Sequence, residues 1–168
     1  FLINSNCESV VKKLSTEQLN ICQGYLIATR GITVRVRKSV RSNGKADYYF
    51  TLKVNTAGRV IEIEQNLDER DFNDLWAISL NKLTKIRYIV KNKKENWELD
   101  FFKDYQGNTY MAIAEIELPE GKLDPNCLPN IVKNNLIFKV PLTDSRFSNK
   151  FLGDARYATE LLQEILNK

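Results

Sequence analysis

The chain has no histidine among its 168 residues. This excludes Ser-His-Asp and Cys-His catalysis, excludes histidine ligation of a metal, and removes the commonest general base. The three cysteines, Cys7, Cys22 and Cys127, are odd in number and form no Cys-x-x-Cys spacing, which argues against a disulfide framework and a zinc site. Any chemistry must therefore use carboxylates, lysine, arginine, tyrosine or a hard metal ion.

Long runs of one residue class are also missing. The net charge is +4, but no long Lys/Arg run is present, and Lys91 to Lys94 falls where a hairpin turn is expected. Nucleic acid is therefore not an expected partner, except for an RNA 5′-triphosphate end. The apolar start at Phe1 to Ile3 is too short for a signal peptide or a membrane span. We expect a cytoplasmic protein with no membrane partner, in an oligomeric state that the sequence leaves open.

The chain does contain six segments in which apolar and charged residues alternate. Such alternation places the charged side chains on one face of a strand and the apolar ones on the other. The segments are Arg35-Val36-Arg37, Thr51-Leu52-Lys53, Arg59-Val60-Ile61-Glu62-Ile63-Glu64, Lys85-Ile86-Arg87, Glu98-Leu99-Asp100 and Glu115-Ile116-Glu117.

These patterns predict an α+β fold in a single domain over residues 1–168. Seven antiparallel strands are expected at 21–29, 32–39, 47–54, 59–67, 84–91, 96–103 and 109–118. Helices are expected at 69–80, with Asp68 as its N-cap, and at 154–167, within a C-terminal segment 153–168. Residues 144–150 are predicted to form a polar loop. The apolar strand faces would lie outward under the helices, and the charged faces would line an antiparallel barrel.

Each charged pair by itself is typical of a solvated strand face. Together the predicted lining holds five cations and six carboxylates, and burying that many ions costs several kcal/mol each without a matching gain in stability. Carboxylate oxygens suit Mg²⁺, and Arg and Lys suit phosphate oxygens. The lining therefore indicates a site for a metal–polyphosphate complex. The cations are Arg35, Arg37, Lys53, Lys85 and Arg87, and the carboxylates are Glu62, Glu64, Glu98, Asp100, Glu115 and Glu117.

These segments, taken in order with Gln23-Gly24-Tyr25-Leu26, Arg87-Tyr88 and Arg146-Phe147-Ser148-Asn149-Lys150, resemble the CYTH superfamily of triphosphate tunnel metalloenzymes. The resemblance covers about residues 21–152, and the bacterial inorganic triphosphatases are the most similar members. It implies an eight-stranded antiparallel tunnel that binds a triphosphate with Mg²⁺ or Mn²⁺.

The resemblance also implies a role for each matching residue. Glu62, Glu64 and Lys85 would be catalytic. The phosphate-binding residues would be Arg35, Arg37, Lys53, Lys85, Arg87, Arg146 and Lys150. The metal ligands would be Glu62, Glu64, Glu115 and Glu117, with Glu98 and Asp100 as further lining residues. One of the glutamates Glu62, Glu64, Glu115 and Glu117 would orient the attacking water.

One feature of the family has no match in the sequence. Its first strand carries Glu-x-Glu-x-Lys, followed by an apolar run that resembles Phe1 to Ile3. Either the sequence lacks its natural start, which we favour, or the protein has dispensed with that strand. In the second case hydrolysis becomes doubtful, while phosphate binding survives.

Three functions follow as hypotheses. The first is metal-dependent hydrolysis of inorganic triphosphate or of a nucleoside triphosphate. The second is an adenylate cyclase of the class IV type, which needs the same phosphate wall and a purine site that the sequence does not show. The third is a catalytically impaired module that binds a triphosphate or nucleotide.

Overall fold

The computed structural model describes residues 1–29, 31–56 and 59–167. Its strands are β1 (Leu2–Ile3), β2 (Glu17–Thr29), β3 (Ile32–Arg41), β4 (Ala46–Asn55), β5 (Val60–Asn66), β6 (Asn81–Asn92), β7 (Glu95–Lys103), β8 (Thr109–Glu115) and β9 (Leu136–Phe138). Its helices are α1 (Glu8–Leu14), α2 (Glu69–Ala77), α3 (Asn130–Asn134), α4 (Asn149–Leu152) and α5 (Ala155–Leu166). Short 3-10 turns cover Ser5–Cys7 and Ser145–Phe147.

All nine described strands form one antiparallel sheet in the order β5-β4-β3-β2-β6-β7-β8-β1-β9. The α+β class and the antiparallel pairing are therefore confirmed. Within the described ranges no pairing joins β5 to β9, so the sheet is open and does not show the closure predicted for an eight-stranded barrel.

The seven predicted strands are all present, with ends that shift by a few residues. The expected count was nevertheless wrong, because β1 was not predicted as a strand, and the segment of β9 around Leu136 and Ile137 was expected to be either a short helix or a strand. They have only two and three residues, and β1 pairs with both β8 and β9. Strands that short carry no periodic pattern, so only their partners identify them. The predicted turns at Arg30 and at Ala57 and Gly58 lie outside the described residues.

The apolar face of the sheet is covered largely as predicted. The Asp68 side chain accepts a hydrogen bond from the Asp71 backbone nitrogen (2.8 Å), which confirms the predicted N-cap of α2. Phe72 of α2 is buried and stacks on Trp76. Val11 of α1 and Val132 of α3 are fully buried in the core on this side of the sheet.

The opposite, charged face departs from the prediction. Residues 144–150 do not form the predicted polar loop; they contain the 3-10 turn and the start of α4. Leu152 of α4 and Leu161 of α5 are buried against Leu83 and Phe102, two apolar residues of the charged face. Helices α4 and α5 thus cover part of the face that was predicted to be a lining. None of the described helices is long and apolar enough to cross a membrane.

Candidate functional site

Cross-strand register brings the charged residues of β3, β4 and β5 together. Arg35 lies opposite Thr51 on β4, and Thr51 lies opposite Glu64 on β5. Lys53 lies opposite Glu62 in the same ladder. Since side chains on directly paired residues point to the same face, the acid and base pairs predicted from separate segments become neighbours.

The resulting contacts pair each glutamate with two partners. Glu62 lies 3.6 Å from Arg35 Nη2 and 3.3 Å from Lys53 Nζ. Glu64 Oε2 accepts hydrogen bonds from Arg37 Nη2 and from Thr51 Oγ1, each at 3.0 Å. Both glutamates remain more than a third exposed, so these pairs contribute little to stability.

The two arginines keep unused donors inside the protein. Arg35 Nε and Arg37 Nε are both buried, and neither has a hydrogen-bond partner among the described residues. Burial lowers the pKa of Arg37, and the adjacent positive charges of Arg35 and Arg87 lower it further, against the opposing effect of Glu64. Buried donors of this kind require an acceptor. We name Arg35 and Arg37 with their Nε atoms the arginine pair.

A second cluster lies on β6 and β7, and most of its donors and acceptors are paired within the protein. Asp100 is 1% exposed and accepts hydrogen bonds from Lys85 Nζ (2.5 Å) and from Arg87 Nε and Nη2 (2.7 Å each). Lys85, 3% exposed, also donates to Asn149 Oδ1 of α4 at 2.9 Å. Burial lowers the pKa of Lys85, which Asp100 partly offsets. Two of the three ammonium protons of Lys85 are thus already committed within the protein.

Carboxylates border this second cluster toward solvent. Arg87 forms an ion pair with Glu98 and lies 3.7 Å from Glu115 Oε2. Glu98 and Glu115 face each other in register on β7 and β8. Burial raises the pKa of Glu98, and the charges of Asp100 and Glu115 add to the rise, although Arg87 opposes it. Both glutamates line a cavity of about 880 Å³, together with Glu117, which follows the end of β8.

The two C-terminal cations predicted to bind phosphate lie elsewhere. Arg146 donates to Asp144 and to Glu164 of α5, so it is already engaged by carboxylates. Lys150 borders a separate cavity of about 400 Å³ beside Lys82 and Tyr157. The structure therefore does not bring either residue into contact with the arginine pair.

Several polar residues of this face were missed by reasoning from the sequence. Gln23 and Tyr25 on β2 pair in register with Arg37 and Arg35 and are 1% and 5% exposed. Asn149 was assigned no contact, although it bonds Lys85. A glutamine inside an otherwise apolar strand is the signal that could have identified Gln23, because a buried amide needs polar neighbours.

The carboxylates fit a metal ion only in part. The described ranges contain no group of three or more Asp, Glu or Cys side chains placed to hold one. Mg²⁺, however, usually takes one or two protein carboxylates together with substrate phosphates. Glu98 and Glu115 supply such a pair, whereas Glu62 and Glu64 lie on β5 at the other end of the sheet order. The donor set suits a cation that arrives with a polyphosphate.

Comparison with known proteins places this arrangement in a fold that other proteins share. The structure of the PH1819 protein from Pyrococcus horikoshii OT3 has a similar fold, with a TM-score of 0.50 over 98% of this chain and 90% of that one, at 14% identity.

Two structures of NE1496, one described as a hypothetical protein and one as an inorganic triphosphatase, match at 25% identity. The matches cover 81% of this chain and 85% of NE1496, with a TM-score of 0.49, which is too low to carry an inference. No protein-family model matches the chain, and no curated protein sequence matches it significantly.

Proposed function

We propose that this protein is a CYTH-type hydrolase that binds a triphosphate on the charged face of its sheet and cleaves its terminal phosphoanhydride bond. The observation that carries the proposal is the arginine pair, whose buried Nε donors have no partner among the described residues. Phosphate oxygens are strong acceptors that arginine binds with good geometry. Two other cations, Arg35 and Arg87, lie near enough to lower the pKa of Arg37, and an anionic ligand would offset their charge.

In this proposal the residues of the charged face have different roles. Arg35 and Arg37 hold phosphate oxygens and offset the charge that develops during transfer. A glutamate, from Glu62, Glu64, Glu115 or Glu117, orients the attacking water. Mg²⁺ or Mn²⁺, when bound, would supply further charge neutralisation at the phosphate oxygens, with Glu98 and Glu115 as its protein ligands.

The role of Lys85 in this proposal differs from the one that the resemblance implies. Because its ammonium already bonds Asp100 and Asn149, we assign it to holding Asp100 and, through Asp100, Arg87. Arg87 then presents its guanidinium between Glu98 and the phosphate site. Closure of the sheet around a bound triphosphate, as in a tunnel, is part of the same proposal.

The test is release of phosphate from inorganic tripolyphosphate and from ATP, with Mg²⁺, with Mn²⁺ and with EDTA. Arg37→Met should lower turnover by about 10²-fold or more, since it removes a donor aimed at the reacting group. Lys38→Met is the matched control: Lys38 is adjacent on β3 but pairs with Glu69 of α2. Equal turnover in both variants would refute the proposal.

Product analysis separates the rival functions. Formation of pyrophosphate and a cyclic nucleotide from ATP would indicate a cyclase. Binding of tripolyphosphate by calorimetry with no product under any metal would indicate a binding module.

A further inference from the structure

The outer face of β3, β4 and β5, which lies opposite the charged face, carries a patch of aliphatic side chains. Residues alternate between the two faces of a strand, so Leu52 on β4 points away from the side on which Thr51 lies. Cross-strand pairing aligns the aliphatic side chains in two rows. We name them the outer patch: Ile32, Val54 and Ile61 form one row, and Val34, Leu52 and Ile63 form the other.

Within the described part of the chain, the outer patch belongs to neither of the two core clusters. Ile32 and Ile63 are 41% and 49% exposed, and among the residues of the patch only Val34 is buried. A contiguous exposed patch of apolar side chains commonly marks an interaction site, because leaving it in water is unfavourable.

Helix α2 borders the outer patch at one end. Its Phe72 packs on Tyr48 of β4. Its Trp76 lies beneath Lys82 of β6, with 5.2 Å between Lys82 Nζ and the ring centre, so the opposite flank of α2 faces β4 and β5. The residues on that flank are Asp71, Asp74 and Ile78, of which Ile78 is 67% exposed. A helix is about 10–12 Å across and stacked sheets lie about 10 Å apart, so a second sheet fits on the outer patch beside α2.

Charge differs between the two ends of the outer patch, while the patch itself carries none. At one end α2 is acidic, with Glu69, Asp71 and Asp74 against the single basic residue Arg70. At the other end Arg59 is exposed directly before β5, and alternation places it on the same face as Ile61. A partner that places a cation against α2 and a carboxylate against Arg59 would complement both ends. A second copy of this chain does so when its strands run antiparallel to those of the first.

We propose that the outer patch is the interface of a homodimer, in which two copies stack these faces about a two-fold axis with their strands antiparallel. A two-fold interface brings the same surface of both copies together, so an uncharged patch avoids the contact of like charges. The patch is small for a permanent dimer, and we therefore expect reversible association in the micromolar range. The charged face lies on the other side of the sheet, so dimerisation leaves it free to bind a ligand.

The experiment is sedimentation velocity of the whole chain, from low micromolar to several hundred micromolar protein. Ile63→Asp places a charge in the interface from both copies and should weaken dimerisation by about 10²-fold, or about tenfold for each copy. Val10→Asp is the matched control. Val10 has a similar exposure of 48% but lies on α1, so its dimer should be as stable as that of the wild type.

Two outcomes would overturn the inference: a wild type that stays monomeric over the whole concentration range, and a dimer that Ile63→Asp leaves intact. Ile32→Asp, in the other row of the patch, replaces Ile63→Asp if circular dichroism shows that the first variant is misfolded. Neither outcome affects the proposed function, which phosphate release tests separately.

A charge exchange tests the antiparallel arrangement. Arg59→Glu should weaken the dimer about two- to fivefold, since it brings a carboxylate against the acidic α2 of the other copy. Adding Asp74→Lys to the same chain should restore part of that loss. If the combined variant dimerises more weakly than Arg59→Glu alone, the two ends do not meet and the proposed arrangement is wrong.

Discussion

Replacing Lys85 by methionine is the most direct test of how the second charged cluster is built. The resemblance implies that Lys85 contacts substrate, in which case its loss would affect turnover more than folding. The structure instead buries Lys85 and Asp100 together, at 3% and 1% exposure. We therefore expect Lys85→Met to lower the free energy of unfolding by a large amount.

The magnitude follows from what each substitution leaves behind. Removing one partner of a buried ion pair costs about 3–5 kcal/mol, because the other charge stays buried without compensation. Lys85→Met leaves Asp100 with two hydrogen bonds from Arg87, so its cost should lie near the lower value. Asp100→Asn leaves Lys85 without its carboxylate and beside a second cation, so its cost should lie near the upper value.

Urea unfolding, followed by far-UV circular dichroism and by the fluorescence of buried Trp97, measures both effects. A loss of about 3 kcal/mol lowers the urea midpoint by about 1–3 M at constant slope. Lys53→Met is the control, since Lys53 pairs with Glu62 at 47% exposure and should change stability by less than about 1 kcal/mol.

The double variant Lys85→Met/Asp100→Leu should be less destabilised than the sum of the two single changes, because the buried pair is removed as a unit. The reasoning is refuted if Lys85→Met is as stable as Lys53→Met. Lys85 would then be free to serve a ligand.

Two further predictions concern pH and packing. Burial alone would raise the pKa of Asp100, but Lys85 and Arg87 outweigh burial and hold it below its usual range. Its contribution to stability is therefore present above the unfolded pKa of about 3.9 and is lost as the pH falls from there through the lower folded pKa. The urea midpoint should drop in that window, and less steeply in Asp100→Asn; equal slopes would contradict this. Separately, a Cβ at Gly24 would lie 2.4 Å from Ser79 Oγ and 2.8 Å from Ser79 Cβ. Gly24→Ala should cost about 1–3 kcal/mol in thermal or urea unfolding, and adding Ser79→Gly should restore part of that loss. If Gly24→Ala had the same free energy of unfolding as the wild type, the contact between β2 and the end of α2 would have to adjust to the added Cβ at little cost.

Much of the fold could be predicted because its signals are local. The alternation around Glu62 and Glu64, and likewise around Lys85 and Arg87, identified strands and the residues that share a face, since the side-chain period of a strand is two. Asp68 was identified as an N-cap from its position before an amphipathic segment, and its side chain makes the expected bond. The two-residue strand β1 could not be found in this way, because it exists only through its pairing with β8 and β9.

The candidate site was predictable in composition and not in arrangement. The strand register places most of the predicted lining residues on one face of the sheet, with Glu117 beyond the end of β8. The two basic pairs on that face nevertheless differ in how many of their donors are already bound. The arginine pair retains free donors, whereas the donors of Lys85 and Arg87 contact Asp100 and its neighbours. Equal patterns in the sequence cannot distinguish these states, because burial depends on which segment covers each strand.

The sequence by itself determined which chemistry is open to this protein: with no histidine and with acid pairs and base pairs on separate strands, carboxylates and guanidinium groups are what it can use. Only the tertiary structure decided which of those groups are available. Asn149 reaches Lys85 across 64 positions of the chain, and α4 and α5 cover part of the charged face, because their apolar side chains are buried against Leu83 and Phe102. That packing removes Lys85 from solvent, whereas Arg35 and Arg37 keep buried Nε donors that have no partner among the described residues.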